Sequence, residues 1–157
     1  MDSKLRMARS EYTNYTNQMG DKQKAPIKTR AGEEILYPEL RYVVVGALFS
    51  AYNELGPGYR EKRYEELVAN ELSTKGVSFK RQARIDLKTR GIQKPSLDFA
   101  DFLIEDKIVL ELKKGDYLNP KSVDQIYEYL QATGFRLGIL AHFSSRGVMC
   151  KRILNTK

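Results

Sequence analysis

Asp101-Phe-Leu-Ile-Glu105-Asp-Lys107-Ile-Val-Leu-Glu111-Leu-Lys113 is the stretch on which the reading of the chain turns. Two apolar segments flank Glu105-Asp106-Lys107, a polar triplet suited to a tight turn between antiparallel strands. Folding the second segment back about Asp106 sets Asp101 opposite Glu111, since each lies five residues from the apex. Directly opposed residues project to one face of a sheet, and Lys113, two residues beyond Glu111, returns to that face. Two carboxylates and an ammonium therefore converge from strands that are otherwise nearly all apolar.

A purely structural reading makes this cluster a buried ion pair. Two carboxylates beside one ammonium, however, leave a charge uncompensated, which is costly unless a cation binds. Magnesium and manganese take hard oxygen ligands, and magnesium keeps several of its waters. Asp101 and Glu111 supply two such ligands, with the neighbouring backbone carbonyl of Leu112 as a third. A metal held there would polarise a phosphodiester and acidify a bound water. Lys113 would orient that water, help deprotonate it, or balance charge on the phosphorus.

The composition is compatible with such a polyanionic substrate. The 157 residues carry a formal charge of +7. Residues 1–32 hold seven Lys/Arg against three Asp/Glu, so +4 of that charge belongs to a polar leading arm with isolated Tyr12 and Tyr15. The length suits one domain, here residues 33–157. Cys150 is the single cysteine, which excludes an internal disulfide and a thiolate zinc cluster. No segment has the length and apolarity of a membrane span or the apolar core of a secretory signal. The expectation is an intracellular, cytoplasmic protein without a membrane partner. Nor is there a glycine-rich loop ending in Lys-Ser/Thr, which argues against a nucleoside triphosphatase.

Around the hairpin the periodicity changes in a fixed order. From Tyr37 to Leu55, the positions Val44, Ala47, Leu48, Ala51, Tyr52 and Leu55 follow helical spacing, and Gly56-Pro57-Gly58 ends that helix. A second helix runs from near Tyr59 through Tyr64, Leu67, Val68 and Leu72 to Gly76, a C-terminal cap. Val77 to Lys88 alternates apolar and polar residues as a strand or strand pair, with a turn at Arg90-Gly91. Asn119-Pro120 starts a third helix, Asn capping and Pro at the first position, and Gly134 closes it. Arg136–Phe143 is an apolar strand, and Val148–Leu154 is a candidate edge strand. The order predicts an α/β fold with a mixed central sheet flanked by helices.

The helices carry further candidates. Glu61 continues the inward stripe of Tyr64 and Val68. It either stabilises the helix N-terminus or acts as another metal ligand, direct or through water, and spacing leaves both readings open. Gln125 and Tyr129, four apart beside the buried stripe of the third helix, are an amide and a phenol able to hold a phosphate or a water network. His142 reads as a polar residue at a strand end. Asp98 rivals Asp101 as the first acid, but an odd spacing from Asp101 points it to the opposite sheet face.

Asp101…Glu111-Leu112-Lys113 resembles the PD-(D/E)XK nuclease signature. Gly58-Tyr59-Arg60-Glu61-Lys62-Arg63-Tyr64 is similar to the motif that names the GxxExxY family, a branch of that superfamily. Asn53–Gly58, Phe79-Lys80-Arg81-Gln82 and Tyr129–Gly134 match its usual surroundings, so the similarity spans roughly Leu36 to Asn155. The resemblance implies a restriction-endonuclease-like core, with Asp101 and Glu111 binding Mg²⁺ or Mn²⁺ and Lys113 assisting the water. It also makes Glu61 the helix-borne acid and likens Gln125…Tyr129 to the Gln-x-x-x-Tyr element of RecB-type nucleases. His142 stands where the family more often has Asn. The implied activity is hydrolysis of phosphodiester bonds, in DNA in preference to RNA, and a homodimer is compatible with it. The alternative is a catalytically silent nuclease-fold module that binds nucleic acid or a protein partner.

Overall fold

A computed structural model describes residues 32, 34–87 and 96–156. The basic arm, apart from Gly32, and the turn at Arg90-Gly91 lie outside the described residues. Helices α1 (Pro38–Leu55) and α2 (Glu61–Thr74) lead into strands β1 (Phe79–Leu87), β2 (Ser96–Ile104) and β3 (Ile108–Lys114). Helix α3 (Pro120–Thr133) and strands β4 (Leu137–Ser144) and β5 (Gly147–Leu154) follow. The five strands form one sheet in the order β1-β2-β3-β4-β5. Only β3 and β4 are parallel, as expected where a helix makes the crossover between them. This is a mixed sheet flanked by helices, an α/β fold.

Local chemistry explains most of the boundaries. Pro38 occupies the first turn of α1, and Gly56 ends it at a φ of 78°. Gly76, at a φ of 74°, follows the cap of α2. Asn119 accepts a hydrogen bond from the Lys121 N–H at 3.0 Å, with Pro120 behind it, and Gly134 closes α3 in a left-handed conformation. The alternating segment resolves into one strand over its described part, Phe79–Leu87, and Gly147–Leu154 is the far edge strand.

The sheet is covered on both faces. Helices α1 and α2 bury Val44, Leu48, Tyr64, Val68 and Leu72 against Phe102, Leu110, Leu112 and Ile139. Helix α3 buries Ile126, Tyr129 and Leu130 against Ile85, Ala100, Val109 and Leu140. Strand β4 is therefore buried at every position, as a strand inside a helix-covered sheet must be. At the end of β4 the Phe143 ring stacks on Tyr64, centroids 4.1 Å apart.

The turn between β2 and β3 is tight. Glu105 and Asp106 both take positive φ, and the Lys107 N–H donates to the Ile104 carbonyl at 2.9 Å. It sets the register Ile104↔Ile108, Leu103↔Val109 and Phe102↔Leu110, the register expected from reflection about Asp106.

Helix α3 lies so close to the sheet that Gly138 of β4 has no room for a side chain. A Cβ there would fall 2.3 Å from Ile126 Cγ2. Gly138→Ala is expected to destabilise the protein by about 1–3 kcal/mol through overpacking, read as a lower urea midpoint at an unchanged m-value.

Candidate active site

The β2–β3 ladder stops one pair short of the acids. Beyond Phe102↔Leu110 the two strands part, and a buried N–H left without a partner would be costly. Side chains take over the missing role. The Asp101 N–H donates to Glu111 Oε1 at 2.9 Å, and the Leu112 N–H donates to Asp101 Oδ2 at 2.7 Å. Each acid is thus fixed by the backbone of the other strand.

The break has a second component in β1. Gln82, which would pair with Asp101, takes a φ of 46° and drops out of the β1–β2 ladder. Side chains at i and i+2 ordinarily line one face of a strand. Here Phe102 packs with α1 and α2 while Ala100 packs with α3. The β1–β2 ribbon therefore changes faces at the level of Gln82 and Asp101.

The electrostatics follow from this crowding. Glu111 is 3% exposed. Burial and the adjacent charge of Asp101 push its carboxyl up to about 8, against the pull of the Asp101 N–H and the Lys113 ammonium. Lys113 Nζ lies 3.8 Å from Glu111 Oε2, too far to neutralise the pair fully.

On the α2 side, Asp101 and Leu112 open into a cleft of about 560 Å³ with Glu61, Lys62, Glu65, Arg81 and Gln82. Glu61, the first residue of α2, is exposed at its rim. Among the described residues, no three Asp, Glu, His or Cys side chains come close enough to hold a metal ion by themselves. Glu61 thus does not join Asp101 and Glu111 in a three-acid set. One turn later, Glu65 is buried and turned to the sheet, bonded to Arg81 Nε at 3.1 Å and Gln82 Nε2 at 3.0 Å. Its i+4 spacing from Glu61, on the stripe of Tyr64 and Val68, was the available signal for it.

On the α3 side, Gln125 Nε2 lies 2.6 Å from the Tyr129 hydroxyl and 3.3 Å from Asp98 Oδ2. The pair thus engages Asp98, which sequence reasoning set aside, and not Asp101. Burial raises the Asp98 pKa, but hydrogen bonds from Tyr129, the Phe99 N–H and Gln125, with the Lys113 charge, outweigh it and hold the carboxyl below its usual range. Burial and the bond to Asp98 raise the Tyr129 phenol, with the charges of Glu111 and Asp98 adding to the effect, so it stays protonated and donates. Asp98 and Asp101 do face different sides, one to α3 and one to the α2 cleft.

A model of the PD-(D/E)XK nuclease superfamily matches residues 38–153, which include both halves of this site. The chain belongs to that superfamily. No curated protein matches it. Two solved structures are similar at low identity. An alkaline exonuclease (LHK-Exo) from Laribacter hongkongensis is 17% identical, with a TM-score of 0.43 over 55% of this chain and 52% of that one. SSO0001 is 13% identical, with a TM-score of 0.44 over 74% and 77%. The chain thus spans about half the length of the exonuclease.

In this PD-(D/E)XK chain His142 departs from its expected place at a strand end. It lies two residues inside the end of β4, opposite Lys113, is 2% exposed, and its Nδ1 has no hydrogen-bond partner among the described residues. Cys150 is exposed on β5. The described helices include none long and apolar enough to cross a membrane.

Glu111 makes stability depend on pH with a definite sign. Its ordinary value of 4.5 rises to about 8 on folding, so between those values the folded protein holds a proton that the unfolded chain has released. Its stabilising contribution is fully present below about 4.5 and lost as pH rises to 8, by up to about 1.4 kcal/mol per pH unit. Unfolding of the metal-free protein and Glu111→Gln between pH 5 and 9 should show the variant gaining on the wild type as pH rises.

Proposed function

We propose that this chain is a Mg²⁺- or Mn²⁺-dependent nuclease of the GxxExxY branch that hydrolyses phosphodiester bonds in DNA within the cytoplasm. The observation that supports this best is the under-neutralised acid pair. Asp101 and Glu111 are locked together by each other's strand, and the charge of one pushes the proton affinity of the other up. Structural ion pairs are arranged to lower that repulsion, whereas here the missing positive charge is what a divalent cation would provide. The donors fit such an ion: carboxylate oxygens of Asp101 and Glu111, with the Leu112 carbonyl and water completing a shell of hard oxygens. When bound, the ion supplies Lewis acidity at a phosphoryl oxygen and a lower pKa for coordinated water.

The protein's own groups divide the remaining work. Lys113 presents a half-exposed ammonium beside Glu111, where Nζ can donate to the attacking water or to a non-bridging phosphate oxygen. Gln125 and Tyr129 hold Asp98, whose carboxylate feels the Lys113 charge, so their role is to keep that ammonium in place. Lys62 at the cleft rim would meet a phosphate of the approaching strand, and Glu61 beside it would reach the ion through water.

Incubation of the purified protein with supercoiled, linear and single-stranded DNA, with and without Mg²⁺, tests the proposal. Metal-dependent cleavage is expected, with Asp101→Ala and Lys113→Ala each slower by ~10²-fold or more. Cleavage that persists unchanged in both variants would overturn it. Calorimetric Mn²⁺ binding that Glu111→Ala abolishes, with no cleavage of any substrate, would instead favour the catalytically silent module.

A further inference from the structure

We propose that Gln82, anchored by Glu65, is a positioning residue for Asp101: its side-chain amide bridges the two carboxylates and fixes the outer oxygen of Asp101. The proposal rests on the reading of Asp101 as a metal ligand and adds two residues to it.

Three observations support it. First, Gln82 Nε2 donates to Glu65 Oε2 at 3.0 Å and to Asp101 Oδ1 at 3.2 Å. An amide nitrogen has two hydrogens, and ionised carboxylates only accept, so two carboxylates around one amide define which end faces them. Second, Glu65 is itself immobilised, 8% exposed and gripped through Oε1 by both Nε and Nη2 of Arg81 at 3.1 Å. It therefore serves as a fixed point on α2 from which the amide can hold Asp101. Third, Gln82 adopts a left-handed backbone with a φ of 46°, unfavourable for a side chain of its kind. Residues in such conformations recur at functional sites, and here the conformation does two things. It withdraws Gln82 from the ladder and swings its side chain into the cleft.

Asp101 is then held at both oxygens, Oδ2 by the Leu112 N–H and Oδ1 by Gln82. Two carboxylates close together would otherwise rotate apart. With both oxygens bonded, the acid stays turned toward Glu111, and a lone pair on each oxygen remains for a cation. Outer partners of this kind orient a ligand without touching the ion.

Gln82→Gly separates this role from a structural one. Glycine takes the left-handed conformation freely, so the kink survives and only the amide is lost. Calorimetry with Mn²⁺ on the full chain is expected to show affinity reduced by about 10-fold or more, with a Tm equal to or above that of the wild type. Glu65→Gln should weaken Mn²⁺ binding comparably. It should also shift the Gln82 side-chain amide resonance in the metal-free protein, and combining the two changes should add little further loss. Wild-type Mn²⁺ affinity in Gln82→Gly, alongside lost binding in Asp101→Ala, would overturn the positioning role and leave the metal site standing. No Mn²⁺ binding by the wild type would overturn both.

Discussion

The pair of hydrogen bonds across the β2–β3 gap, Asp101 N–H to the Glu111 carboxylate and Leu112 N–H to the Asp101 carboxylate, is the constraint around which the rest of the structure is arranged. Where β2 and β3 part, two backbone N–H groups lose their ladder partners, and each is satisfied by a carboxylate from the opposite strand. The backbone requirement is met, but two like charges are brought together in a largely buried place. Their repulsion raises Glu111, and the fold offers only a distant ammonium in return. The same interaction that repairs the sheet thus creates the electrostatic vacancy that defines the site.

The sheet also decides how the surrounding groups are shared out. Helix α2 brings Glu61, and Glu65 with its amide link to Asp101, from one side. Helix α3 brings Gln125 and Tyr129, with Asp98 between them and Lys113, from the other. In an uninterrupted sheet these sets would be separated by its full thickness. They meet at one place because the β1–β2 ribbon crosses from one face to the other at Gln82 and Asp101. A left-handed glutamine costs ~1–2 kcal/mol of backbone strain. In exchange, a single gap within the sheet is served by both helical layers.

Features that depend on neighbours in sequence were legible before any coordinates. The hairpin register follows from the symmetry of apolar residues about Asp106, and the start of α3 from Asn119-Pro120. Glu61 was visible because it extends a helical stripe. What escaped notice depends on contacts between distant segments. Nothing local marks Gln82 as left-handed, since that conformation is imposed by the crossing of the ribbon. Glu65 lay on the same stripe as Glu61, but its burial depends on Arg81, sixteen residues away. Alternation turns Asp98 away from Asp101, and it does face α3, but its partnership with Gln125, twenty-seven residues away, has no local signal. His142 was placed at a strand end because a polar residue in an apolar run suggests an exit, yet β4 is covered on both faces.

The location of the break has a mechanical reason. The β2–β3 ladder contains only three pairs, all beside the turn. Those on either side extend along most of their strands, from Phe79↔Ile104 to Leu87↔Ser96 and from Ile108↔Leu137 to Lys114↔Phe143. The sheet is therefore two well-paired ribbons joined at one end, with a fork between them that opens away from the Glu105–Lys107 turn. Each helical layer spans both ribbons: α3 packs on Ile85 and Ala100 of one and Val109 and Leu140 of the other, while α1 and α2 pack on Phe102 of one and Leu110 and Leu112 of the other. The helices thus hold the ribbons together where the ladder does not. The acids stand at the base of that fork. Strain, repulsion and incomplete pairing are all concentrated there, at a gap that both helical layers span.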